Sequence, residues 1–553
     1  MAETLVINGK FKTMDPLRPG AEAVAIAGGK IVKVGRTRDV LKLKSRKTKV
    51  IDAGGCTVVP GFVEGHMHLF AGGAESSCLD LYGVSGFEPL RTAISRFADL
   101  HQGPGIVVGN QTNYTILGVG ERLTRHHLDR ILPERPILLY SPDHHTGWAN
   151  TKALELAGIL AGRRLPAGHE IVMGADGLAE GELREPAALE PVAALAVDLK
   201  RSRLGLATGG EPEPYPQRQD FASDMETIYR ALQKCARFGI TSFHNMDGNL
   251  YTLELLATLE REGRLLARGV VPFHYKPFMP LSALERASTM SKAYQSDWLK
   301  SGCVKMFMDG VLDSGTAVML GDYPDAPGWR GDPLFTAEHF NAAAVESDRR
   351  GLQVAVHAIG DGAVRMVLDG YEAARKANGR RDSRHRIEHI EVHHPDDVAR
   401  FRKLGVVASM QPPHPPGSQG LPLEPTVSKI GKDKWRYAFA WNTFRKARVP
   451  LVFGTDWPVS DLNPMRAIHS AVCRKSWAEG VDAHQQTLDQ ALHSYTSMGA
   501  YAEFAEDRKG VIKPGAFGDL AVLDADLDSL DPERLQDVKV AATLTGGRLV
   551  HEV

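Results

Sequence analysis

One apolar, strand-forming run that ends in two histidines constrains this chain more than any other stretch. It reads Thr57-Val58-Val59-Pro60-Gly61-Phe62-Val63-Glu64-Gly65-His66-Met67-His68. Side chains at i and i+2 of a strand share a face, so both imidazoles can reach one point in space. Two borderline-soft nitrogen donors at a strand end suit a first-row metal such as zinc. Alone the pattern is weak, because the chain holds 21 histidines, and two packed or exposed histidines would read the same way. The rest of the sequence has to decide.

Seven more strand-like runs follow, separated by helix-like segments. They are Gly239–His244, Gly269–Tyr275, Cys303–Asp309, Leu352–His357, Arg386–Ile390, Val406–Met410 and Leu451–Asp456. Strands alternating with helices imply right-handed βαβ units and a parallel sheet. Eight of them predict an α/β fold of the TIM type, a (β/α)8 barrel. The interval from about 70 to about 235 is much longer than the others and contains Thr208-Gly209-Gly210-Glu211-Pro212-Glu213-Pro214-Tyr215-Pro216. It reads as a subdomain inserted after the first barrel strand. Short β-runs with Asn-Gly and Gly-Gly turns occupy both chain ends. Residues 1–58 and 510–553 together predict one small β-sandwich, leaving 59–509 for the barrel.

Composition narrows the function classes. A net charge of -1 and a pI near 7.1 give no footprint for nucleic acid or anionic lipid. No apolar run reaches about 18 residues, which argues against a membrane span, and the first residues lack the pattern of a signal peptide. The five cysteines are scattered and form no CxxC pair. A disulfide framework and a cysteine-based zinc site are therefore not expected, and a reducing cytoplasm is.

Five of the eight strand ends carry a group able to bind metal or move a proton: His66 and His68, Lys305, His357, His389 and Asp456. In a parallel barrel these ends open on one face, where active sites sit. The set resembles the amidohydrolase superfamily of metal-dependent hydrolases. More narrowly it resembles amidohydrolase family 3, the branch that includes N-substituted formamide deformylase and YtcJ-like proteins. The matching stretches are Pro60–His68, Val304–Gly310, His357–Ala363, Arg386–His389, Gly454–Val459 and Arg508–Leu520. Glu64 departs from the pattern, which usually has aspartate there.

The resemblance implies that His66, His68, His357, His389 and Asp456 ligate one or two divalent metal ions, most simply zinc. It makes Lys305 a bridging ligand after carboxylation of its amine. Asp456, His389 and Lys305 would be the catalytic groups, and a metal-activated hydroxide would cleave an amide or related C–N bond of a small N-substituted formyl or acyl amide. Cyclic amides, carbamates, esters and deamination of a heterocycle are the alternatives. A non-enzymatic scaffold is disfavoured, since all six positions are filled. His145, Trp148, Asp309, Gln411, His414 and Trp457 are expected to contact substrate or line its pocket, with loop packing the competing role. His244 and His274 match no ligand and read as packing or pocket residues. A small-molecule substrate and a homodimer complete the expectation.

Overall fold

The computed structural model describes residues 2–553 apart from 77, 119, 143, 145, 166–168 and 197–209. Parallel strands form its centre: β1 (Phe62–Met67), β2 (Ile240–Asn245), β3 (Arg268–Val270, resumed at Phe273–His274), β4 (Cys303–Phe307), β5 (Gln353–Ala358), β6 (Arg386–His389), β7 (Val407–Met410) and β8 (Leu451–Phe453). Each pairs in parallel with the next. Pro272, which has no N–H to donate, lies where β3 passes from a four-stranded to a six-stranded sheet. Beyond Phe453 the last strand meets the first. There Asp456 N donates to His66 O and His68 N to Trp457 O, both at 2.8 Å. Amphipathic helices such as Leu250–Arg261 and Asp361–Asn378 connect the strands. The architecture is of the TIM-barrel type, and every residue of β1 is buried, as in a strand covered on both faces.

Two glycines set how closely β1 and β8 approach. A Cβ on Gly65 would stand 2.4 Å from Val452 Cγ1, and one on Gly454 would stand 2.6 Å from His66 N and 2.7 Å from Glu64 Oε1. Glu64 ties the same two strands, its Oε1 accepting from Thr455 N (2.6 Å) and His66 N (3.4 Å). Burial outweighs these donors and pushes its carboxyl up to about 8. The residue that departs from the family pattern is thus a buried strut directly under the histidine pair.

Strands from the two chain ends share a six-stranded sheet. Its order is 548–552, 540–545, 520–523, 57–60, 10–12, 20–21, and its strand 57–60 runs straight into β1. A four-stranded sheet of residues 30–35, 23–27, 4–7 and 49–52 lies with it. Val6, Ile26, Val58, Leu520 and Leu544 belong to one apolar cluster. A buried ion pair, Arg268 Nε to Asp519 Oδ2 at 2.8 Å, fastens these strands to β3. After β1, strands between residues 79 and 184 make a mixed six-stranded sheet with apolar clusters of its own. Gln111 Nε2 reaches from it to donate to Pro458 O at 2.8 Å. No helix among the described residues is long and apolar enough to cross a membrane.

Candidate active site

His66 stands one residue before the end of β1 with its ring wholly buried, and its Nδ1 donates to Glu388 Oε2 at 2.7 Å. A carboxylate only accepts, so this bond fixes the tautomer and leaves the Nε2 lone pair free. Glu388 is ionised for the task. Burial works against its charge, but Arg386 and His66 hold it well below the usual range, with Arg386 donating to both its oxygens at 2.7 and 3.0 Å. The Nδ1 of His68 lies 2.8 Å from Asp247 Oδ2, an ion-pair contact. Burial opposes charging of His68, yet Asp247 and Asp456 lift it to about 10, so a cation bound at its Nε2 would have to displace a proton.

Asp456 closes the group from the end of β8. Its Oδ1 lies 3.3 Å from His66 Nε2 and 3.1 Å from His68 Nε2, and its Oδ2 lies 3.9 Å from His389 Nδ1 and 3.8 Å from His414 Nε2. His389 Nδ1 also donates to Gln411 Oε1 at 2.9 Å. Both His389 and Asp456 have left-handed backbones, φ 74° and 60°, an uncommon conformation for such residues that a functional constraint can maintain.

His66 Nε2, Asp456 Oδ1 and His414 Nε2 are buried and make no hydrogen bond. A free imidazole lone pair facing a carboxylate oxygen at 3.3 Å is unfavourable unless something positive lies between them. Imidazole nitrogen and carboxylate oxygen are what zinc and its neighbours bind. His66 and His389 are also oriented through their Nδ1 atoms, by Glu388 and Gln411, as metal-ligating histidines are. The donor set fits a divalent cation.

His357 and Lys305 stand beside this group. His357 Nε2 donates to Gly310 O at 3.1 Å, and its ring centroid is 4.6 Å from that of His389. Burial, helped by Lys305, pushes it down to about 3, so the ring is neutral. Lys305 is fully buried and its Nζ has no hydrogen-bond partner. Burial lowers its pKa against the pull of Glu388 and Asp456. A cavity of about 260 Å³ opens over His66, His68, His357, His389, His414 and Asp456. Phe307, Val311, Leu312, Ile359, Leu421 and Phe439 give it an apolar wall, and Asp313, Glu391 and Ser460 add polar groups.

Several second-rank expectations need correcting. Asp309 does not line the cavity: its carboxylate accepts from the N–H groups of Val318, Ile359 and Gly360 at 2.9–3.0 Å, and burial pushes it up to about 7. Trp148 is buried in the inserted sheet against Tyr114, with ring centroids 5.5 Å apart. Trp457 packs on the helix after β1, where a Cβ on Gly72 would come within 2.3 Å of its ring. Gln411 accepts from His389 Nδ1 and is not part of the cavity wall. Among the described residues of that set His414 alone lines the cavity, while His145 lies outside the described residues, as do Thr208 and Gly209 of the Pro/Gly-rich segment. His244 faces Arg386 and sits 3.4 Å from Glu503, a packing role, while the His274 ring lies 5.2 Å from that of Phe307.

Sequence reasoning missed Asp247, Glu388 and Arg386. The last two had a signal, because a charged Arg-x-Glu pair in an otherwise apolar strand must share one buried face.

Comparison with known proteins identifies the family of the chain. Residues 49–551 match the family described as the amidohydrolase family. YtcJ of Bacillus subtilis is 28% identical over 96% of this chain and 96% of its own length. N-substituted formamide deformylase of Arthrobacter pascens is 25% identical over 100% of this chain and 99% of its own. Among solved structures, an uncharacterized metal-dependent hydrolase from Pyrococcus furiosus superposes with a TM-score of 0.68 at 25% identity, covering 96% of this chain and 99% of that one.

Proposed function

Because the chain belongs to the amidohydrolase family and is a metal-dependent hydrolase acting on carbon–nitrogen bonds, we propose that it cleaves the amide bond of a small N-substituted formyl or acyl amide with an apolar substituent. The observation that carries this reading is the unpartnered pair His66 Nε2 and Asp456 Oδ1, 3.3 Å apart, at the foot of a cavity with an apolar wall. The deformylase relative named above supports the amide as substrate class.

On this reading His66, His68, His357, His389 and Asp456 hold one or two divalent ions, zinc foremost. Lys305 would join them as an anionic oxygen ligand once its amine, held toward the neutral form by burial, has added to carbon dioxide and released a proton to solvent. A divalent cation there supplies a Lewis acid for the substrate carbonyl and acidifies water toward neutrality. Asp456, ionised and with one oxygen free of hydrogen bonds, takes the proton of the attacking water and passes it to the leaving nitrogen. His414, between Asp456 and Glu391 (3.8 and 3.5 Å), hydrogen-bonds the substrate from the side. Phe307, Leu312 and Phe439 hold the substituent and exclude water from it.

A turnover screen over N-formyl, N-acyl, lactam, hydantoin and ester substrates, with wild type against Asp456→Asn, tests the proposal. Hydrolysis of formyl or acyl amides by wild type alone is the expected result. Turnover confined to esters or to amino-substituted heterocycles would replace the substrate assignment.

A further inference from the structure

We propose that His469, Cys473 and Glu533 form a second metal site, of zinc type, that clamps the C-terminal part of the chain to the outside of the barrel. His469 and Cys473 lie on helix α1 (Pro464–Cys473), which follows the β8 loop and is capped by Asn463, whose side chain accepts from Met465 N at 3.0 Å. Spaced i and i+4, the two side chains share one helix face. The 3-10 turn Pro532–Asp537 packs against this helix and brings in Glu533. One ligand atom from each of the three residues lies within 4.8 Å of the other two.

The geometry is specific in one respect. His469 Nε2 is shielded from water and has no hydrogen bond, yet Glu533 Oε2 is 3.5 Å away. That separation is long for a hydrogen bond. It is close to the spacing of two ligands on tetrahedral zinc, where bonds of about 2.0–2.1 Å put neighbouring nitrogen and oxygen about 3.3 Å apart. Imidazole, thiolate and carboxylate are all zinc ligands, and the half-open side next to Glu533, 64% exposed, leaves a fourth position for water. Binding would release the Cys473 thiol proton to solvent, since the thiolate is the ligand. None of the three residues lines the cavity over His66, so the site stands apart from the reaction proposed above. The scattered cysteines gave no hint of it, because its third ligand comes from a distant element and no CxxC is involved.

Cobalt(II) loading of the full-length protein after chelation tests the site. A thiolate-to-cobalt charge-transfer band reports Cys473, and the ligands proposed at the barrel mouth include no thiolate. Wild type should show the band and bind one equivalent more cobalt than Cys473→Ser, which should lack the band. His469→Gln and the exposed Glu533→Gln should weaken that equivalent about 10–100-fold while turnover stays at the wild-type level. Equal metal content and equal spectra in wild type and Cys473→Ser would overturn the proposal. Should Cys473→Ser fail to fold, unchanged cobalt affinity in Glu533→Gln would overturn it as well.

Discussion

The mouth of the barrel and the interior beneath it treat buried polar groups in opposite ways. At the mouth, His66 Nε2, Asp456 Oδ1 and Lys305 Nζ have no hydrogen-bond partner. Beneath, Arg386 meets Glu388 at 2.7 Å and Lys509 meets Glu503 at 2.5 Å. Arg386 also donates to Gly65 O and Ser409 Oγ. An uncompensated buried charge costs several kcal/mol, so the lower network holds the fold together, while the upper one keeps donor capacity for a guest. Glu388 joins the two, bonded to Arg386 on one side and His66 on the other.

That division separates the effects of mutation. Asp456→Asn should lower kcat/KM by about 10²–10⁴-fold or more, as loss of a proton-transfer group does, with thermal unfolding nearly unchanged. Arg386→Met should do the reverse in kind, costing about 3–5 kcal/mol in denaturant unfolding because Glu388 is left buried and unpaired. If the two variants lost stability equally, the contrast between mouth and interior would fail. Glu388→Gln sharpens it, since the residue serves both regions. Zinc affinity measured by chelator competition should fall about 10–100-fold, the usual effect of losing a group that orients a metal-bound histidine.

The smallest effect is one of pH. Burial works against the charge of Glu503, but Lys509 and His244 hold its carboxyl down to about 2, from an ordinary 4.5. A lowered folded pKa gives stability that is complete above about 4.5 and lost as pH falls through about 2. The stability advantage of wild type over Glu503→Gln should be flat above pH 5. Below that it should shrink by at most about 1.4 kcal/mol per pH unit. An advantage that grew on acidification would show that Glu503 is not ionised against Lys509.

The groups at the strand ends were readable in the sequence because parallel strands in such barrels are apolar nearly throughout, and His66, His68, Lys305, His357, His389 and Asp456 each interrupt or end such a run. Their supports were harder to see. Asp247 and His414 follow strands rather than end them, and which way a loop side chain turns depends on contacts made from elsewhere in the chain. Asp309 shows the cost of reading by position alone: it follows β4 as a pocket residue would, but segments 316–318 and 359–360 fold back and engage its carboxylate. Trp148 likewise sits in a sheet whose packing no single run of sequence reveals. The Arg386–Glu388 pair was legible in principle, and its meaning became plain only with His66 above it.

Anomalous diffraction at the zinc edge, on crystals of the zinc-loaded protein, tests the unpartnered lone pairs most directly. A peak among His66 Nε2, His68 Nε2 and Asp456 is the expected result. Zinc bound elsewhere in the molecule, with no peak at that point and the side chains placed as here, would contradict it.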